Sequence, residues 1–204
     1  MNRRAMTKPF RFFAAALILA LGACKPAQQG QSQIIGANLD GTGIGGPFSL
    51  VDKAGKPVTW DQFKGKYRIV YFGYTFCPDA CPTDVGVMMQ GYLKYAKDHP
   101  QLAQEIQPIF ITVDPARDTP ARIGEFTSAF SPRLLGLTGS QQEIGGAIKA
   151  FKVVAGRGKD TPGGYLMDHT RFAYLMDREG KAMVALPVDK GPDAVAADLA
   201  ASIK

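Results

Sequence analysis

Residues 68–74 read Arg-Ile-Val-Tyr-Phe-Gly-Tyr, an almost unbroken apolar run of β-branched and aromatic side chains. Such a run predicts a strand covered on both faces, hence a central one in an α/β sheet. Upstream, the short apolar stretches 48–51 and 57–60 flank Asp52-Lys53-Ala54-Gly55-Lys56, which predicts a hairpin closed by a glycine-containing turn. Downstream, the spacing of apolar positions predicts helices over 83–97, from about 120 to 130, over 141–151 and from 193 onward. Strands are predicted at 108–113, 134–137, 172–177 and 183–186.

The order is therefore a β-hairpin, a βαβα unit, a further helix, an antiparallel-looking strand pair and a last helix. That is the outline of an α/β, thioredoxin-like domain with an N-terminal β-hairpin. It fills residues 47–204, a length sufficient for one domain with its own core.

The first 46 residues differ in kind. Residues 1–23 carry Arg3, Arg4, Lys8 and Arg11, no acid, and then about a dozen apolar residues from Phe12 to Ala23, the layout of a secretory signal rather than of a membrane span. Gly22 and Ala23 directly before Cys24 resemble the lipobox of bacterial lipoproteins, so Cys24 is the expected acylation site and mature N-terminus. The expected location is the periplasmic side of a bacterial membrane, held by that lipid anchor. Residues 24–46 are rich in Gln, Gly and Ser and are expected to form a flexible tether.

Charge narrows the function classes once it is divided along the chain. Of the formal net charge of +6, four belong to the signal segment, leaving +2 on residues 24–204. No basic run or aromatic-interleaved basic face remains, so no nucleic-acid role is expected.

Cys24 apart, the only cysteines are Cys77 and Cys81, in Thr75-Phe76-Cys77-Pro78-Asp79-Ala80-Cys81-Pro82. Each precedes a proline, which disfavours the helical region for both. The expected arrangement is a tight loop with Cys81 at the N-cap of the following helix and Pro82 in its first position. There the helix dipole would favour the Cys81 thiolate, against repulsion from Asp79, and both thiols would be accessible. Two such thiolates can hold a soft ion such as Cu(I), close as a disulfide, or exchange electrons.

A third ligand would have to be a histidine, and there are two. His99, in Lys97-Asp98-His99-Pro100, reads as a solvated helix end. His169, in Met167-Asp168-His169-Thr170, precedes the strand predicted at 172–177. In a thioredoxin-like fold the loop entering that strand runs beside the cysteine loop, and His-Thr stands where thioredoxins have Thr-Pro. Met88, Met89, Met176 and Met183 read as core residues, and Met167 is the one methionine expected near the site.

Three motifs in order, the cysteine loop, Val113-Asp114-Pro115-Ala116-Arg117-Asp118-Thr119-Pro120, and Asp168-His169-Thr170, resemble those of the Sco/SenC family of membrane-tethered copper proteins with a thioredoxin fold. The resemblance runs from about residue 47 to the C-terminus. It implies copper ligation by Cys77, Cys81 and His169, with Cu(I) best suited to the donor set and Cu(II) an allowed form. It also implies assembly of the binuclear copper centre of cytochrome c oxidase, with the copper-site subunit as partner and an upstream copper donor or thiol reductant as another.

Asp114 and Arg117 are expected to position the copper loop or to form part of a docking surface, and Asp168 to orient the imidazole. Asp118 and Thr119 read as a helix start. As a metallochaperone the chain would break no substrate bond and would not be an enzyme. The alternative is a thiol-disulfide reductase using Cys77 and Cys81 to keep the target cysteines reduced. A peroxidase fits poorly, because Thr75 stands two residues before Cys77 rather than three.

Overall fold

The computed structural model describes Met1 and residues 33–204; the signal segment, Cys24 and the tether up to residue 32 lie outside the described residues. Among the described residues, ten strands and five α-helices follow one another as β1 (Ala37–Asn38), β2 (Ser49–Val51), β3 (Pro57–Thr59), β4 (Tyr67–Gly73), α1 (Ala80–Asp98), α2 (Pro100–Gln104), β5 (Ile106–Thr112), α3 (Pro120–Ser128), β6 (Leu135–Leu137), α4 (Gln141–Ala150), β7 (Ala155–Thr161), β8 (Gly164–His169), β9 (Ala173–Met176), β10 (Ala182–Leu186) and α5 (Pro192–Ser202).

Six strands form one sheet in the order β1-β10-β9-β4-β5-β6. β4 is buried along its whole length, between parallel β5 and antiparallel β9, as its unbroken apolar run predicts. The hairpin β2–β3 forms a separate two-stranded sheet, bridged to the main body at Val51 and Thr138. Met88, Met89 and Met176 are buried in the core and Met183 packs against it. Among the described residues no helix is long and apolar enough to cross a membrane.

Helix starts follow local chemistry. Ser140 and Glu143 make a reciprocal capping box at α4, and Thr119 caps α3 ahead of Pro120; both satisfy amide groups that a helix leaves unpaired. α1 departs from expectation. It begins at Ala80, its N-cap is Asp79, and no side chain caps it. Cys81 therefore lies inside the first turn rather than at the N-cap, and proline in the third helical position costs no hydrogen bond.

Three pieces differ from the sequence-based expectation. Residues 35–38, inside the segment expected to be a tether, are tied to the domain: β1 pairs with β10, and the amides of Ile35 and Gly36 donate to Asp198 at 2.7 and 2.8 Å. The short helix α2 was not expected. Nor was the hairpin β7–β8, whose strands, Ala-Gly-Arg-Gly-Lys-Asp-Thr and Gly-Tyr-Leu-Met-Asp-His, lack the strand-like apolar alternation. Its signal was the turn Pro162-Gly163.

Candidate metal centre

The site lies at the C-terminal end of β4. Cys77 sits in the loop that leaves this strand, Cys81 enters α1, and His169 ends β8. The fold brings all three sequence-predicted donors together. Cys81 Sγ lies 3.1 Å from His169 Nε2, and the Cys81 amide donates to Cys77 Sγ at 3.3 Å. Gly73 makes room for the group: a Cβ there would come within 3.2 Å of Cys81 Sγ and 3.0 Å of the Tyr71 and Phe110 rings.

The imidazole is held with one nitrogen directed at sulfur. His169 Nδ1 faces the Thr170 carbonyl oxygen at 2.9 Å; a carbonyl only accepts, so Nδ1 carries the proton and Nε2 presents its lone pair to Cys81. Tyr71 and Tyr74 flank the ring edge-on, with centroids 6.2 and 5.9 Å away. Thus Thr170, and not Asp168 as the motif suggested, orients the ring. Asp168 is exposed and opposite Gly156 across the hairpin, because successive residues of a strand point to opposite faces.

The two thiols differ, contrary to the expected pair of accessible sulfurs. Cys81 is fully buried and Cys77 partly exposed. Cys77 is held well below the ordinary thiol range, first by a hydrogen bond from the Cys81 side chain and then by the Cys81 and Asp79 amides, against its own desolvation. Cys81 is pushed up, by the same contact with Cys77 and by burial. The acidic thiol is therefore Cys77. Cys81 gains no thiolate character from the helix terminus, because burial and its neighbour outweigh the dipole. Asp79 assists Cys77 through its amide despite its negative side chain.

The Asp114–Asp118 segment braces this centre. Asp114 is buried, pairs with Arg117 Nε, and accepts the Tyr165 hydroxyl at 2.8 Å. The Arg117 guanidinium stacks 3.6 Å from the Tyr165 ring centroid and 4.9 Å from that of Phe76, so it joins the cysteine loop to the hairpin carrying His169. Asp118, expected only to start a helix, is buried and accepts the Thr75 amide at 3.0 Å, the Thr75 hydroxyl at 2.6 Å and the Thr112 hydroxyl at 2.6 Å. It anchors the start of the cysteine loop. Its position four residues after Asp114 was visible in the sequence; its direction into the core was not.

His99 is exposed at the end of α1, stacked on Tyr95 at 4.7 Å, as its helix-end sequence implied. Met167 is half-buried on β8.

The donor chemistry fits a soft monovalent ion: two sulfurs and one imidazole nitrogen, the imidazole already oriented through its other nitrogen by a carbonyl. The donors touch through hydrogen bonds, and among the described residues no three acidic, cysteine or histidine side chains stand ready-spread around a common centre. An incoming ion would take the place of the proton that Cys81 shares with its neighbours.

Fold and site together define a thioredoxin-like domain whose vicinal dithiol is faced by an imidazole. The SCO1/SenC family model matches residues 36–204, and the chain belongs to that family. An SCO2-like protein of Rickettsia felis is 38% identical over 181 residues, covering 88% of this chain and 85% of the relative. The solved structure of Bradyrhizobium japonicum ScoI with copper bound is 43% identical, has a TM-score of 0.69, and covers 77% of this chain and 98% of that one. A SCO1/SenC family lipoprotein from Bacillus anthracis is 25% identical at a TM-score of 0.58, covering 72% and 89%.

Proposed function

We propose that this chain is a copper metallochaperone, exported and held at the membrane by acylated Cys24, that helps assemble the binuclear copper centre of cytochrome c oxidase. The observation that carries the proposal is the convergence of Cys77, Cys81 and the Nε2 lone pair of His169 at the end of β4. The copper-bound relative and the lipoprotein relative support it.

Copper is cargo in this reading. Cys77, partly exposed and the more acidic thiol, is the sulfur that meets a donor or acceptor first. Cys81, buried and protonated, closes the site after giving up its proton, and His169 completes a three-ligand set. Release runs in the opposite direction: a cysteine of the target displaces Cys77 before Cys81 lets go, so the ion always keeps soft ligands.

One observation also favours a thiol-disulfide reductase. A partly exposed thiol of lowered pKa beside a buried thiol of raised pKa is the arrangement of an attacking and a resolving cysteine. Cys77 would attack a target disulfide to form a mixed disulfide, and Cys81, deprotonated, would displace the second target sulfur. The products are a Cys77–Cys81 disulfide and two target thiols.

The residue that separates the two is His169. In cells lacking the wild-type protein, His169→Ala is expected to abolish copper loading of the oxidase even with added membrane-permeable reductant. Full loading by His169→Ala, with loss confined to cysteine variants, would move the assignment to the reductase.

A further inference from the structure

His169 ends a two-stranded hairpin whose first strand is largely exposed and whose second is half-buried, and a two-stranded hairpin by itself is only marginally stable. Something must hold its end against the cysteines. Two links join α1 to the segment 169–171. One is the contact between Cys81 and His169 at 3.1 Å. The other is a bidentate pair in which Arg171 Nε donates to Asp84 Oδ2 at 2.8 Å and its terminal nitrogen to Oδ1 at 2.7 Å. Asp84 is buried, whereas the Arg171 side chain is half exposed. The Tyr71 hydroxyl, from β4, donates to the same Oδ2 at 2.9 Å.

The two links are close neighbours: three residues along a helix advance about 4.5 Å, and Arg171 is two residues beyond His169. Cys81 and Asp84 lie on one helix face, and His169 and Arg171 stand two residues apart where the chain leaves β8 for β9, so both links join the same two stretches of chain. Each link fixes the registration of the other. The thiols belong to the loop and helix that follow the buried strand β4, and the imidazole to the segment that leaves β8 and enters β9.

We infer that the Asp84–Arg171 ion pair, braced by Tyr71, is the strap that keeps His169 over Cys81, so that Asp84 and Arg171 are positioning residues of the site. This rests on the copper-chaperone reading for its purpose, but the strap itself is a property of the protein without copper. Opening it frees the imidazole and uncovers Cys81 while leaving both sulfurs in place.

The test uses the reduced full-length chain at one fixed pH, with iodoacetamide labelling of Cys81 followed by peptide mass spectrometry. Arg171→Gln and Asp84→Asn are each expected to raise the labelling rate by about tenfold, the scale of losing one charge-assisted pair, and the double variant is expected to be no faster than either single one. Cu(I) affinity by chelator competition should fall in the same variants, by no more than it falls in His169→Ala. Wild-type labelling in Arg171→Gln, or additive effects in the double variant, would overturn the strap. Should Arg171→Gln fail to fold, Tyr71→Phe decides: it keeps the ring beside His169 and removes one hydrogen bond, and faster Cys81 labelling is expected, an unchanged rate being the contrary result. Because labelling involves no metal, a wild-type protein that binds no Cu(I) would sink the function and leave the strap to be judged on labelling alone.

Discussion

Asp118 is the residue on which the cysteine loop depends most directly, since it accepts the Thr75 amide and hydroxyl two residues before Cys77. Asp118→Ala leaves buried donors without partners and is expected to lower the unfolding free energy by about 2–4 kcal/mol in urea titrations. Burial raises the Asp118 carboxyl above its ordinary value, partly offset by the hydroxyls of Thr112 and Thr75. A raised folded-state value means that protonation favours the folded state. Its contribution is therefore full below the ordinary carboxylate range and is lost as pH rises through the raised value. The stability of wild type relative to Asp118→Asn should fall across that window, measured by denaturant titrations at successive pH values; a difference independent of pH would contradict the burial account. At this scale the sequence names donors well and their surroundings poorly. Cys77, Cys81 and His169 were legible from residue type and motif, but the acidic thiol was misassigned. The contact between the two sulfurs decides it first and burial second, and both are tertiary facts.

Among the elements, β1 carries the clearest consequence. A domain cut where the Gly-rich composition ends, at residue 47, loses the pairing with β10 and leaves the buried Asp198 without the amides of Ile35 and Gly36. Gly36 fits tightly there, since a Cβ would come 2.2 Å from the Ala185 carbonyl oxygen. The fragment 47–204 is expected to melt about 5–10 °C below 33–204, by calorimetry, from the loss of about 2–3 kcal/mol of hydrogen bonding and pairing. Equal melting temperatures would make β1 dispensable. The same element shows what a sequence conceals. A two-residue edge strand in a Gly-rich segment has no period to read, and its partner strand lies about 150 residues away. The buried strand β4 and the helices α3 and α4 were legible because apolar runs and caps are local signals. The hairpin β7–β8 was not, because its first strand is Gly- and charge-rich and the second is only half-buried, so neither carries the alternation a strand is read from, and Arg117 stacking and the ion pair at Asp84 tie it to the site.

At the scale of the whole molecule, chain order and proximity part company. His169 lies 88 residues after Cys81 and still meets it at 3.1 Å, because parallel β5 and antiparallel β9 flank β4 and so place the ends of three connections at one sheet edge. That placement assembles a donor set suited to a soft ion. The most direct check is an anaerobic Cu(I) titration of the fully reduced protein against a competing chelator, in parallel with His169→Ala. The account predicts one tightly bound copper per chain, held about tenfold or more weakly by the variant. A reduced wild-type protein that cannot compete for Cu(I), or a variant that binds it equally well, would contradict the three-donor centre.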